Sequence, residues 1–166
     1  MFREMRRKNC IIATEAAEKI LRGGDFGVLA LSGDDGYNYA VPINYAVEGN
    51  KIYFHSAKSG HKLDAIKNND KVSFCVVDRH EVIAEEFTTY FSSAIAFGRI
   101  KIISDNSDPD KRRGLELLAD KYSSTASPER REKEINRVNS LVVIVMEIEN
   151  LTGKAARELV KRDDFS

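Results

Sequence analysis

Between His55 and Lys62 the chain reads HSAKSGHK, which sets two histidines, two lysines, two serines and a glycine within eight residues. These side chains suit a small oxyanion. Ser56 and Ser59 offer hydroxyl donors, Lys58 and Lys62 offer fixed positive charge, and His61 adds a titratable donor. A helix beginning near Ser59 to His61 leaves its first amide N–H groups unpaired and turns its positive dipole end toward the same point. Gly60 lets the backbone approach a ligand closely. Together these groups suit a phosphate monoester. The plainer alternative is that Ser59 caps a surface helix and the lysines are solvated.

The elements that position this run lie on either side of it. From Tyr39 to Val47 the chain alternates, with Tyr39, Val41, Ile43, Tyr45 and Val47 on one face and Ala40, Pro42, Asn44 and Ala46 on the other. That period of two predicts a strand. Glu48-Gly49-Asn50 supplies a reversal, Lys51 to His55 resumes an extended run, and Leu63 and Ile66 mark a short helix after the polar loop. Pro42 removes a ladder donor, so it belongs on an edge, at a bulge, or where a ladder is left open. An open ladder leaves backbone groups free for a planar, hydrogen-bonding ligand, with Asn44 on the same face. An edge strand with nothing bound is the alternative.

The stretches DDGYNYAVPINY and IYFHSAKSGHKLDAI resemble the flavin-binding split-barrel family related to pyridoxamine 5′-phosphate oxidase, most closely its nitroimidazole-resistance-like branch. MRRK near the start, VSFCVV, EEFTTYFSSAIAFGRIKII and the closing EIENLTGKA extend the likeness over most of the chain. Asn38 departs from the proline expected in that turn. The resemblance implies an antiparallel split β-barrel binding FMN, with the phosphate on Ser56, Ala57 (through its backbone), His61 and Lys62. It implies that Val41, Pro42, Ile43 and Asn44 line the ring, that Tyr90, Ser92 and Ser93 complete the pocket, from the other subunit of a homodimer, and that Lys154 lies near the flavin. His55 is the expected substrate-facing catalytic residue, since imidazole can donate a proton near neutral pH.

The 166 residues suit one domain, and 26 basic residues balance 26 acidic ones, so no global charge draws the chain to nucleic acid or a membrane surface. No apolar run reaches the ~20 residues of a membrane span, and no signal-type apolar segment follows the basic start. Cys10 and Cys75 lack metal-ligand spacing and read as free thiols of a cytoplasmic protein, with Cys75 buried in a strand. The three histidines form no ligand set, so no metal is expected. No G-x-G-x-x-G, phosphate-cradling Walker loop or nucleophile elbow is present.

In chain order, residues 1–25 read as a solvated basic arm and a packing helix over Glu15 to Arg22, capped by Thr14 and ended by Gly23-Gly24. Residues 26–104 carry the barrel strands and the short helix 60–69. Within them, Phe26 to Leu31 is a buried strand, Gly33 to Gly36 a turn, Lys71 to Asp78 a strand buried on both sides, Arg79 to Glu86 irregular, and Phe87 to Ser104 long and extended, with Gly98 at a bulge. Residues 108–139 form a helical insertion, with Leu115, Leu118, Ala119 and Tyr122 on one face and a second helix over Glu129 to Val138. Leu141 to Glu149 opens a last, central strand within 140–151, and 152–166 is a polar tail. About six strands with peripheral helices make a mainly β, α+β architecture. The functions this implies are reduction of small nitroaromatic compounds by an FMN-dependent oxidoreductase, a pyridoxamine or pyridoxine phosphate oxidase, or a non-catalytic flavin-binding or sensing protein.

Overall fold

The computed structural model describes every residue except Arg137, Asp163, Asp164 and Ser166. Seven strands form one antiparallel sheet in the order β2-β1-β5-β6-β7-β4-β3: β1 Phe26–Ser32, β2 Asn38–Asn44, β3 Ala46–Glu48, β4 Lys51–Ser56, β5 Lys71–Ile83, β6 Thr88–Ile103 and β7 Val142–Ala155. The helices are α1 Thr14–Gly23, α2 His61–Asn68, α3 Pro109–Tyr122, α4 Pro128–Ile135 and α5 Arg157–Lys161.

The single strand expected over Tyr39 to Val47 is two strands, and this difference defines the architecture. β2 and β3 are separated only by Tyr45, yet they form opposite edges of the sheet. The sheet therefore curls until its two edges meet at one residue, and it closes through the chain rather than through a ladder. Tyr45 is fully buried, and its hydroxyl donates to the Leu21 carbonyl. Its amide donates to the Tyr122 hydroxyl at 3.0 Å, and the single proton of that hydroxyl lies within reach of the Asp25 and Tyr45 carbonyls. The end of α3 thus pins the crossing point, satisfying a backbone donor that no strand can reach.

Inside the barrel, Leu29, Leu31, Phe54, Phe74, Ile144 and Met146 pack with α1 and α2. A second core lies outside it, where Val143 and Val145 of β7 and Tyr53 of β4 meet Leu115 and Ile135. β7 is buried on both faces at its start for this reason, as its apolar run predicts. Gly98 sits at a register shift in β6, where an added Cβ would fall 1.9 Å from the Glu147 carbonyl oxygen, so glycine is required there.

Several boundaries differ from the sequence reading. β5 continues through Arg79 to Ile83, after a bulge at Asp78, because β6 supplies ladder partners as far as Thr88. β7 runs to Ala155 rather than ending near 151, pairing with Ser92 to Ala96 of β6, and α5 follows within the expected tail. α1 starts at Thr14 itself, with Ala13 before it and no side-chain cap. α4 covers Pro128–Ile135, shorter than the helix expected to Val138. Cys75 is half-buried, since Ser73, Cys75 and Val77 face outward and, among the described residues, no helix or strand covers them. The basic arm is exposed at Arg3, Arg6 and Arg7, but Phe2 reaches the outward face, its ring 5.8 Å from that of Phe97.

Candidate functional site

β2 pairs only with β1, and β3 covers β4 only over Lys51 to Tyr53. Beyond that point Phe54, His55 and Ser56 pair with β7 on one side and present a bare edge on the other. The two bare edges, β2 with Pro42 and the end of β4, flank the split in the barrel. Pro42 therefore stands on an edge strand beside an open ladder. Asn44 of β2 and His55 of β4 line one cleft of about 350 Å³, roofed by α3 and α4. The Asn44 amide nitrogen donates to the Asp25 carbonyl at 3.1 Å, which aims its side-chain oxygen away from that partner.

The polar loop leads from this edge into α2. Gly60 has φ 130° and ψ 163°, a backbone region open to glycine alone, and it precedes the helix without a side-chain cap. Ser59 is thus exposed and not the cap of α2. The Leu63 and Asp64 amides turn back to the Gly60 carbonyl at 2.9 and 3.3 Å, while the His61 and Lys62 amides precede the first closed turn.

Lys62 is half-buried, and no hydrogen-bond or ion-pair partner contacts it among the described residues. Burial without a counter-ion pulls its ammonium pKa below the ordinary lysine value. His55 is lowered as well, first by the protein packed around it and then by the Lys62 charge, so its ring is biased to the neutral form. No described residue hydrogen-bonds that ring. Lys111, which sequence reasoning missed, is a buried lysine that feels the polar loop through Lys58. It is 1% exposed, donates to the Ser104 carbonyl and to Asn106 Oδ1, and is depressed first by burial and then by the Lys58 charge. No sequence signal marks it, because one lysine in the first turn of an amphipathic helix is ordinary. His61 is differently engaged: its ring stacks on Tyr39 at 4.2 Å and lies 3.3 Å from the Asp34 carboxylate, leaving its backbone amide for the loop.

The structure thus sets Asn44 and His55 on one cleft beside the split, with Val41, Pro42 and Ile43 along the β2 edge, Ser56 at the end of β4, Ala57 in the loop after it and Lys62 in the first turn of α2, and with Ile43 packed on the interior core. It does not bring Tyr90, Ser92, Ser93 and Lys154 there. β7 meets Ser56 at Val142, its first residue, and carries Lys154 at its far end. The Tyr90 and Ser92 side chains are buried, their hydroxyls donating to Glu86 and Asp78 at 2.8 and 2.7 Å. Ser93 pairs with Lys154 and with Val77 on the outward face, and extending the β1–β5 register by two residues continues that row to Phe26 and Asn44. Three strand spacings, roughly 14 Å, separate Ser93 from Asn44.

A sequence profile of pyridoxamine 5′-phosphate oxidase matches residues 13–155. The chain belongs to that family. A relative within reach of sequence comparison is the uncharacterized protein RA0666 of Rhizobium meliloti (strain 1021), 35% identical over 68 residues, a stretch spanning 41% of this chain and 44% of that protein. Among solved structures, a candidate 5-nitroimidazole antibiotic resistance protein of Bacteroides thetaiotaomicron superposes with a TM-score of 0.72 at 22% identity, covering 88% of this chain and 86% of its own. The flavocytochrome Anf3 of Azotobacter vinelandii superposes with a TM-score of 0.70 at 20% identity, covering 93% and 72%. Both share the family's split barrel. Among the described residues no cluster of His, Cys, Asp and Glu could hold a metal, and no helix is long and apolar enough to cross a membrane.

Proposed function

We propose that this chain is a flavin-dependent oxidoreductase that binds FMN across the split and reduces small nitroaromatic compounds. The observation that carries the reading is Lys62, a half-buried ammonium without a counter-ion, set at the start of α2 beside two bare strand edges. A phosphate monoester satisfies that charge, together with the His61 and Lys62 amides, the Ala57 backbone and the Ser56 hydroxyl. Free backbone groups of β2 around Pro42 and of β4 around His55 suit the polar edge of a flat ring. A flavin so held supplies hydride transfer, which ordinary side chains cannot perform. His55, kept neutral, can donate one hydrogen bond to a bound compound and accept another. It is therefore better suited to orienting a substrate, or taking up a proton, than to acting as a standing imidazolium acid. Family membership and the flavocytochrome fold support the flavin, and the Bacteroides structure supports the nitro compound as substrate.

The outward face supports a second subunit. Across β2, β1, β5 and β6 the rows Ala40–Ala30–Ser73–Phe97, Pro42–Val28–Cys75–Ile95 and Asn44–Phe26–Val77–Ser93 hold no charged side chain, Lys154 of β7 following only at the end of the last, and Phe26 and Val77 are 62% and 60% exposed. A copy of the chain placed on this face as a homodimer buries it and brings a second set of Ser93 and Lys154 toward the split. Equilibrium binding to purified protein tests the proposal: FMN binds one per chain and more tightly than riboflavin, and the loaded protein consumes a nitroimidazole under anaerobic reduction. Protein that binds no flavin overturns it; tighter binding of FAD would reassign the coenzyme.

A further inference from the structure

We infer that the cleft at the turn between α3 and α4 is a second oxyanion site, built to take a phosphate or pyrophosphate group. It goes beyond the flavin reading and does not depend on it. Ser123 closes α3, Thr125 lies in the turn, and Arg130, Arg131 and Glu134 of α4 border the same space of about 450 Å³. No residue of the HSAKSGHK loop lines it.

Arg131 carries the argument. Its Nε is buried without a hydrogen-bond partner, the one side-chain atom in that condition among the described residues. A charged donor buried with no acceptor works against the fold, and such a group in a native chain calls for an acceptor from outside it. The rest of the guanidinium is held lightly. Nη2 donates to one oxygen of Asp120, whose side chain is 60% exposed, and an exposed pair of this kind contributes little. Nε and Nη2 share one edge of the guanidinium, and the Asp120 oxygen fills only half of it. A phosphate presents two oxygens at the spacing of the whole edge, a side-by-side geometry that arginine offers and lysine does not. Nε lies beneath the surface, so binding turns this edge outward. The Asp120 contact is the one polar tie of the side chain that must give among the described residues.

The surroundings supply the remaining donors. The Arg130 guanidinium and the Ser123 and Thr125 hydroxyls have no partner among the described residues. Glu134 is the one carboxylate in the lining, and it has a partner of its own. Two guanidiniums and two hydroxyls therefore face one space, while the nearby acids, Asp120 and Glu134, are both engaged. That donor set suits a dianion. Ala119 and Tyr122 border both this cleft and the one beside the split. The phosphate can thus arrive as a free ion or as part of a nucleotide lying along α3.

The test follows the Arg131 Nε–H resonance in the isotope-labelled full chain during titration with inorganic pyrophosphate. A Lys62→Met background keeps the loop before α2 from competing. The expected result is a saturable shift at or below about 10 mM. Calorimetry on variants gives the second reading. Arg131→Lys, which keeps the charge opposite Asp120 but loses the fork, and Arg130→Gln should each weaken pyrophosphate about tenfold. Asp120→Asn, which frees the same edge, should strengthen it about threefold. Reduced nicotinamide adenine dinucleotide phosphate separates the two sources. Binding about tenfold tighter than pyrophosphate, with methyl shifts at Leu115 and Leu118, upholds the site as one for a nucleotide; equal affinity without those shifts upholds it for the free ion. An unmoved Arg131 resonance, or pyrophosphate affinity unchanged in both arginine variants, overturns the inference whether or not the chain binds FMN.

Discussion

Replacing Lys62 by methionine separates what that side chain does for a ligand from what it does for the fold. In the ligand-free chain its ammonium is half-buried beside His55 and pairs with nothing among the described residues, so burial lowers its pKa. The sign follows. A lysine whose folded value lies below its unfolded one binds its proton more readily in the unfolded chain, so at neutral pH the charged form works against folding. Methionine keeps the apolar stem and removes the charge. Allowing for the solvent that still reaches the group, the ligand-free protein should gain up to about 1 kcal/mol, or roughly 2–4 °C in Tm for a chain of this size. With FMN the direction reverses. A hydrogen bond to a charged partner contributes about 1.5–3 kcal/mol, so FMN should bind about 10- to 150-fold more weakly. Riboflavin, which lacks the phosphate, should change by less than twofold. Fluorescence quenching of each flavin, with thermal unfolding of the ligand-free protein alongside, reads both effects. Equal weakening of FMN and riboflavin, or a fall in ligand-free stability, would refute the reasoning.

Other consequences follow from the same geometry. Gly60→Ala meets no atom within 4 Å, yet it must hold a backbone conformation that glycine alone adopts easily; urea unfolding should show a loss of about 1–3 kcal/mol from backbone strain without a clash. Tyr122→Phe leaves the buried Tyr45 amide without its acceptor and should cost about 1–3 kcal/mol by the same measurement, whereas Tyr37→Phe, on an exposed residue, should be neutral. The His55 pKa is held below its usual ~6.5 by burial and by Lys62, so its contribution to stability is intact above that pH and shrinks as pH falls through it. The difference in stability between pH 7.5 and 5.5 should narrow in His55→Gln by less than about 1 kcal/mol, and bound FMN should raise the His55 titration midpoint seen by NMR. In analytical ultracentrifugation the parent should sediment as the proposed dimer and Cys75→Asp, in the middle row of the outward face, as a monomer.

Local pattern made much of this legible. The apolar LVVIVM stretch becomes the strand expected, a helix follows the HSAKSGHK run from His61, the alternation about Pro42 marks extended chain though not its division into two strands, and the bulge at Gly98 lies where a glycine inside a strand pattern placed it. What escaped was decided by distant contacts. The break at Tyr45 is invisible in the period because the residue keeps its alternation; only the Tyr122 hydroxyl, far along the chain, marks the crossing. Arg79 to Ile83 read as irregular from its charges, yet it is a strand because β6 lies beside it. The sequence reading had Cys75 and its strand buried on both faces, and in the single chain one of those faces is open. Ser92 and Tyr90 were read from their hydroxyls, but alternation turns them inward to Asp78 and Glu86.

A crystal structure of the protein grown with FMN tests the central claim most directly. The account predicts the phosphate within hydrogen-bond distance of Lys62 Nζ and of the first α2 amides, with the ring lying along the bare edges of β2 and β4. A flavin bound elsewhere, or a split filled by its own side chains at saturating FMN, would contradict it.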